Sequence, residues 1–446
     1  MPTALPTDPL ADEVLALARD LIRVDTSNFG PGRCEETPAA RLLAEHLEAA
    51  GVECELVARE PGRANLVARL PGRGEAPSLA FVGHLDVVPA DARDWTHPPF
   101  AAVVDDDGYL FGRGAVDMKN EVAARAVALA SLAREGFRPA GDLWLLAVAD
   151  EEDGRGQVGM NWLVQARPDI RPAYAINEGG GLRYTLADGR TVVDASVGEK
   201  GTYPVTVTAL GEAGHASMPT VGRNAVPLLG EVLRRIGDGL PQPSHHEVVD
   251  AMLAVLLDRE VGPDDDLVPL VARAAALHPQ LEHALPALVG TTMAPTLLKG
   301  SSALNVMPGR ASVTLDCRLL PGTVEHDVDA AVLARLEGLD VELDHPDVLV
   351  PGNHSPASGP LWDAVREALH DEDPDALLLP TMSTGFTDSV YLRRAWGTVA
   401  YGFNPFRVTP AGVVEAGYHN RDERVHVHDL TTSTHVHRAL ARRLLG

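Results

Sequence analysis

The stretch FVGHLDVVP, residues 81 to 89, runs an apolar strand into His84, places Asp86 two residues on and stops at Pro89. Taken alone, these two polar residues fit a strand end that reaches solvent, since burying them without partners would cost several kcal/mol. The pattern recurs, however. DLWLLAVADEE ends in Asp150, Glu151 and Glu152, and AYAINEGG ends in Glu178. Asp117 follows the turn of LFGRGAVDMKN, where Gly112 and Gly114 permit a tight bend, and opens a helix. Its bland reading is an acid facing the positive end of a helix dipole. One acidic strand end is unremarkable, but three on one rim repel and raise one another's pKa, so a compensating cation is expected. The set offers an imidazole nitrogen and carboxylate oxygens without thiolate, which suits Zn, Co or Mn in an open hydrolytic site.

The elements that must position these residues follow from apolar spacing. DPLADEVLALARDLIRV and TPAARLLAEHLEAAG read as amphipathic helices, the second stopped by Gly51, and EVAARAVALASLAREG as a longer helix. The short apolar runs between them read as strands. Strands alternating with helices predict an α/β fold, a mostly parallel sheet with helices on both faces. Ligands of such sheets sit beyond the carboxyl ends of the strands, where the acids gather. The alternation breaks over residues 199–350, which read as a smaller α+β domain set between two parts of the catalytic domain, 1–198 and 351–446. Residues from about 239 to 290 read as an extra helical insertion within it. VHVHDL alternates like a strand with His426 and His428 on one face, a weaker candidate for a separate metal site.

At 446 residues the chain is too long for one ordinary core, which makes two domains the expectation. Hydrophobic residues at 45% and charged residues at 23% are ordinary for a globular protein. A net charge of -25 argues against nucleic acid, which is bound by neutralising phosphates with Lys and Arg. Cys34, Cys54 and Cys317 make neither a C-x-x-C pair nor an even disulfide set, so reduced thiols and a cytoplasmic location are expected. No export signal or membrane-length apolar run is read in the chain.

GHLDVVP, GRGAVDMK, DEEDGRG and NEGG, in this order and at these intervals, resemble the zinc-dependent amidohydrolase and peptidase family of acetylornithine deacetylase, succinyl-diaminopimelate desuccinylase, carboxypeptidase G and the aminoacylases. The resemblance implies two divalent metal ions, Zn first and Co or Mn as alternatives. Asp117 would bridge them, with His84 and Glu178 on one and Glu152 and His419 on the other. Glu151 would be the general base, and Asp86 would orient the His84 ring. His419 is chosen among five late histidines because EAGYHNRDERV resembles the closing motif, although Asn420 stands where the family usually has glycine.

GHASMP with GRNA resembles the family's lid signature. It implies a lid and dimerisation domain, a homodimer, and His215 as an oxyanion donor, often supplied by the partner subunit. ALNVMPG and LDCR imply Asn305 and Arg318 as substrate contacts, and PTMSTGFTDSVYL implies Thr384, Gly385 and Asp388 along the cleft. Each has a bland counterpart, such as a loop histidine, a turn asparagine or a surface ion pair. The implied function is hydrolysis of an amide bond next to a free carboxylate, in an N-acyl amino acid or short peptide. A non-catalytic metal-binding homologue and a two-metal hydrolase of another ester or amide class are the alternatives. Glu151 argues against the first, and the lack of an arginine-rich phosphate cradle argues against phosphate esters.

Overall fold

The structure is a computed structural model that describes residues 8–153, 156–345 and 350–446. Gly154 and Arg155 of DEEDGRG, and residues 346–349 of the stretch VELDHPDVLV, lie outside the described residues. The chain divides into two compact units. The first comprises Met1–Val197, Ser355–Pro380 and Thr387–Gly446, and the second Gly198–His354 and Thr381–Phe386.

The first unit is built from helices α1 (Pro9–Arg23) and α2 (Thr37–Glu48), strands β1 (Glu53–Ala58), β2 (Ala64–Leu70) and β3 (Leu79–His84), helix α3 (Lys119–Arg134), strand β4 (Leu143–Val148), helix α4 (Met160–Ala166), and strands β5 (Tyr174–Asn177) and β6 (Thr191–Glu199). Beyond His354 it adds α5 (Pro360–Glu372), α6 (Ser389–Trp396), β7 (Val399–Gly402) and α7 (Val427–Leu445). The sheet order is β1-β2-β4-β3-β5-β7-β6. β4, β3, β5 and β7 run parallel at its centre, and the flanking pairs are antiparallel.

β3 and β4 are buried at every position, as strands covered on both faces must be. Ala80 and Val82 pack with Met160 and Leu163 of α4 and Leu392 of α6. On the other face, Phe81 meets His437 of α7 edge-on at 5.2 Å, and α1, α3 and α7 pack together. The α/β expectation is met: the parallel strands end along one rim, with His84 closing β3, Asp150 two residues past β4 and Glu178 just past β5.

The second unit is an α+β body. Strands Val205–Leu210 and Arg310–Leu319 pair antiparallel with alternating burial, and their inner face packs on helices Ala225–Ile236 and Glu325–Arg335. Three helices, Glu247–Leu257, Leu267–Ala275 and Pro279–Leu288, occupy the stretch from 239 to 290. No helix among the described residues is long and apolar enough to cross a membrane.

One element reads differently from its alternation. VHVHDL is not a strand: the strand Arg424–His426 ends there and α7 begins at Val427. The His426 ring accepts the His428 amide as a helix cap, which satisfies an otherwise orphan donor of the first turn, and the two rings stack 5.1 Å apart.

Close backbone approach fixes the rim. A Cβ on Gly402 would stand 1.9 Å from the carbonyl oxygen of Glu178. Gly402→Ala is therefore expected to destabilise the chain by about 1–3 kcal/mol. Gly230, in the middle of helix Ala225–Ile236, has nothing within 4 Å of its would-be Cβ. Gly230→Ala should instead stabilise by about 0.5–1 kcal/mol, through helix propensity alone. Denaturant midpoints of the two variants check both signs.

Candidate metal centre

His84, Asp117, Glu151, Glu152, Glu178 and His419 all belong to the first unit. The fold gathers their polar atoms. Donor atoms of His84, Asp117 and Glu152 lie within 4.8 Å of one another, and so do those of His84, Glu151 and Glu178. His84 Nε2 is 3.0 Å from Asp117 Oδ1 and 3.5 Å from Glu178 Oε2. His419 Nε2 is 3.3 Å from Asp117 Oδ2 and 3.0 Å from Glu152 Oε2. The two oxygens of Asp117 thus face different imidazoles.

Local backbone aims these side chains. The turn into Asp117 is clamped by Glu423, a fully buried acid that accepts the amides of Gly114, Val116 and Asp117 at 3.0, 2.6 and 2.9 Å and pairs with Arg113 at 2.6 Å. Asp150 and His419 both adopt left-handed backbone, with φ of 64° and 54°. Such conformations cost free energy in a non-glycine residue and persist where the surroundings over-determine them. At Asp150 those surroundings include Arg63 at 3.0 Å, itself held in a bidentate pair by Glu36 at 2.6 and 2.7 Å.

Asp86 reaches the His84 ring through its backbone. His84 Nδ1 donates to the backbone carbonyl of Asp86 at 2.9 Å, whereas the nearer carboxylate oxygen is 3.8 Å away. The ring is oriented by that carbonyl, which leaves Nε2 for Asp117. The Asp86 carboxylate instead accepts the amides of Glu151 and Glu152 at 3.2 and 3.1 Å and the Asn28 side chain at 2.9 Å. Its geometric role is to pin the turn that bears the glutamate pair.

The electrostatics are those of crowded acids. Burial and then Glu178 push the Glu151 carboxyl well above the usual carboxylate range, with Asp388 among the further contributors. Burial and then Asp117 push Glu152 up to about 7. His419 is raised to about 10 by its hydrogen bonds to Asp117 and Glu152. Burial would lower the pKa of His84, but Glu178 and Asp117 outweigh it and hold it well above the usual imidazole value.

A divalent cation fits these donors: Glu152 Oε1 and Glu178 Oε1 are buried and receive no hydrogen bond from the described residues. No cysteine belongs to these groups among the described residues, so the ligands gathered here are nitrogen and oxygen.

The other late histidines are otherwise engaged. His426 caps α7, His428 stacks on it, His435 lies 2.6 Å from Asp8, and His437 is buried against Arg125 and Phe81. The remaining residues singled out by sequence, apart from Asp388, lie in the second unit. His215 and Asn305 come together there: the short strand Gly214–His215 pairs with Val306–Met307, which directly follows Asn305, and the Ala216 amide donates to the Asn305 carbonyl at 2.9 Å. Arg318 is held by Asp316 at 2.7 and 3.0 Å and donates to Thr202 Oγ1 at 3.1 Å. A Cβ on Gly385 would stand 4.0 Å from the Arg318 guanidinium, and neighbouring Thr384 is exposed. Asp388 is buried beside α6 in the first unit.

Residues 80–443 match the model of peptidase family M20/M25/M40, and the chain belongs to that family. It is thereby a metal-dependent hydrolase of amide bonds. It is 28% identical to a succinyl-diaminopimelate desuccinylase of Alkalilimnicola ehrlichii, over 97% of this chain and 100% of that one. It is likewise 28% identical to human aminoacylase-1, over 92% and 90%. The Bacillus subtilis YXEP protein, described as a dinuclear metal binding peptidase of the M20 family, superposes with a TM-score of 0.62 at 13% identity, over 98% of each chain.

The metal content of variants tests the choice of histidine. His419→Ala should lower the equivalents of Zn retained after dialysis, whereas His426→Ala and His428→Ala should match the unaltered chain. Equal metal in all three refutes His419 as the ligand.

Proposed function

We propose that the chain binds two divalent ions, Zn in the first instance, and cleaves an amide bond adjacent to a free carboxylate in an N-acyl amino acid or short peptide. The observation that carries this reading is Asp117, whose two oxygens face His84 on one side and His419 on the other, with Glu178 and Glu152 beyond them. His84 and Glu178 would hold one ion, Glu152 and His419 the other, and Asp117 would bridge. When bound, such ions supply Lewis acidity toward the amide carbonyl and lower the pKa of an attacking water. The names of the desuccinylase and the aminoacylase support an acyl-amide substrate.

Glu151 is the general base: it accepts a proton from the water and returns it to the leaving amine nitrogen. Its backbone is fixed by Asp86, whose carboxylate accepts the Glu151 amide at 3.2 Å, and a positioned carboxyl group of this kind can both take and return a proton. Arg318 takes the substrate carboxylate, His215 steadies the oxyanion, and Asn305, Thr384, Gly385 and Asp388 contribute to the substrate cleft. The second unit serves as lid and dimerisation domain of a homodimer. Three free cysteines accord with a cytoplasmic setting.

The closeness of Glu151 to His84 and Glu178 favours a second reading, in which Glu151 is itself a ligand. Glu151→Gln separates the two. A base predicts both ions retained and turnover reduced by about 10² to 10⁴-fold; a ligand predicts an ion lost. N-acyl amino acids, dipeptides and phosphate esters, assayed with Zn, Co and Mn, test the substrate class, and turnover confined to phosphate esters would overturn it.

Arg318→Ala should cut kcat/KM by roughly 10 to 150-fold for carboxylate substrates, the equivalent of about 1.5–3 kcal/mol for a hydrogen bond to a charged group. Amidating that carboxylate should make the wild type slow and the variant no slower. Equal losses on both substrates remove Arg318 from the carboxylate.

A further inference from the structure

Beneath the metal centre, α3 buries an ion pair that the reaction does not use. Glu121 and Arg125 stand one helical turn apart, 2.7 Å from Glu121 Oε2 to Arg125 Nη2, and Arg125 has no solvent exposure. A buried guanidinium must place five N–H donors. Beyond Glu121, Arg125 places them largely on backbone carbonyls: Nη1 donates to Val82, and Nη2 to Asn177 at 2.9 Å with Phe403 further off at 3.4 Å. Nε donates to His437 Nε2 at 3.3 Å. Burial pushes the His437 pKa down to about 3, so its ring is neutral, and Nδ1 donates to the Ser433 carbonyl at 2.7 Å. Nε2 is left as the acceptor that Arg125 requires.

The carbonyls have meaning through their positions. Val82 precedes His84 by two residues on β3, Asn177 ends β5 directly before Glu178, and Phe403 directly follows β7. These three strands are neighbours in the sheet. We infer that Arg125 is a positioning residue for one half of the metal centre: it locks the carboxyl ends of β3 and β5 together, so that His84 Nε2 and the Glu178 carboxylate converge at 3.5 Å. Glu152 is held differently, through the Asp86 carboxylate. Arg125 therefore acts on the ion at His84 and Glu178 more than on the ion at Glu152 and His419. This rests on the two-ion reading above.

The test is stepwise Zn binding to the full chain, followed by calorimetry and by competition with a chelator. Arg125→Met alone leaves Glu121 buried without its cation, so the informative variant is Glu121→Gln with Arg125→Met, which removes both charges and the carbonyl bonds together. Arg125→Lys, which keeps the charge but not the fork, is the second variant in case the first fails to fold. Glu178→Gln and His419→Ala mark which binding step belongs to which position.

In the double variant, the step abolished by Glu178→Gln should weaken by about 10 to 100-fold, as is usual when a ligand's support is removed, while the step abolished by His419→Ala stays within about threefold. Arg125→Lys should shift the same step in the same direction. Unchanged affinities, or equal weakening of both steps, overturn the role of Arg125. A wild-type chain that binds no Zn overturns the two-ion reading itself, before any variant is compared.

Discussion

Mutual repulsion among carboxylates is the constraint around which the first unit is arranged. Asp86, Asp117, Glu151, Glu152 and Glu178 crowd a rim that also carries Asp150, and neighbouring Glu423 is fully buried. Each needs either donors or a cation, because a buried charge left without partners costs more than a fold of marginal stability can bear. Five of these seven fall into two kinds. Asp86 is satisfied by two amides and Asn28, Asp150 by Arg63, and Glu423 by three amides and Arg113. Among the described residues, Glu152 and Glu178 each keep a buried oxygen without a donor. The first kind builds turns, and the second is available to a metal ion. Acid content alone cannot separate the kinds; their hydrogen-bond partners can.

Parallel-sheet topology makes this arrangement possible. Strands that run in one direction deliver the residues following each strand to one edge, so His84, Asp150 and Glu178 arrive together although far apart in sequence. What topology leaves coarse, local backbone refines. The left-handed residues Asp150 and His419 turn the chain sharply at the rim, and the Gly402 backbone packs against the Glu178 carbonyl where no side chain fits.

This also explains which features were legible in the sequence. Strand-end acids are visible because the apolar run and the acid adjoin, so the α/β class and the gathering of His84, Asp117, Glu151, Glu152 and Glu178 could be anticipated from short motifs. A motif does not say whether the carbonyl or the carboxylate of Asp86 meets the His84 ring, and here it is the carbonyl, at 2.9 Å. VHVHDL misled because a capping histidine mimics alternation at a strand-to-helix junction. Glu36, Arg63 and Arg125 were missed. The sequence separation between Arg125 and the carbonyl of Phe403 is 278 residues, and nothing in a single sequence pairs positions so distant. Glu423 left a trace, an acid four residues after His419 in HNRDE, but not its function as a clamp on Asp117.

The second unit shows a different economy of charge. Arg318 is not a bare guanidinium awaiting an anion, because Asp316, two residues earlier on the same strand face, already occupies its fork. A substrate carboxylate would therefore exchange with an internal one. Both side chains are about one-third exposed, at 33% and 38%, and ion pairs in such surroundings are worth only about 0–1 kcal/mol. Giving up Asp316 costs little, while an incoming carboxylate that excludes water would gain the stronger bidentate contact. The pair also keeps the fork ordered in the meantime, with Thr202 steadying the remaining nitrogen. Loss of side-chain freedom, which is a large part of the cost of immobilising a free arginine, is thus met before any ligand arrives.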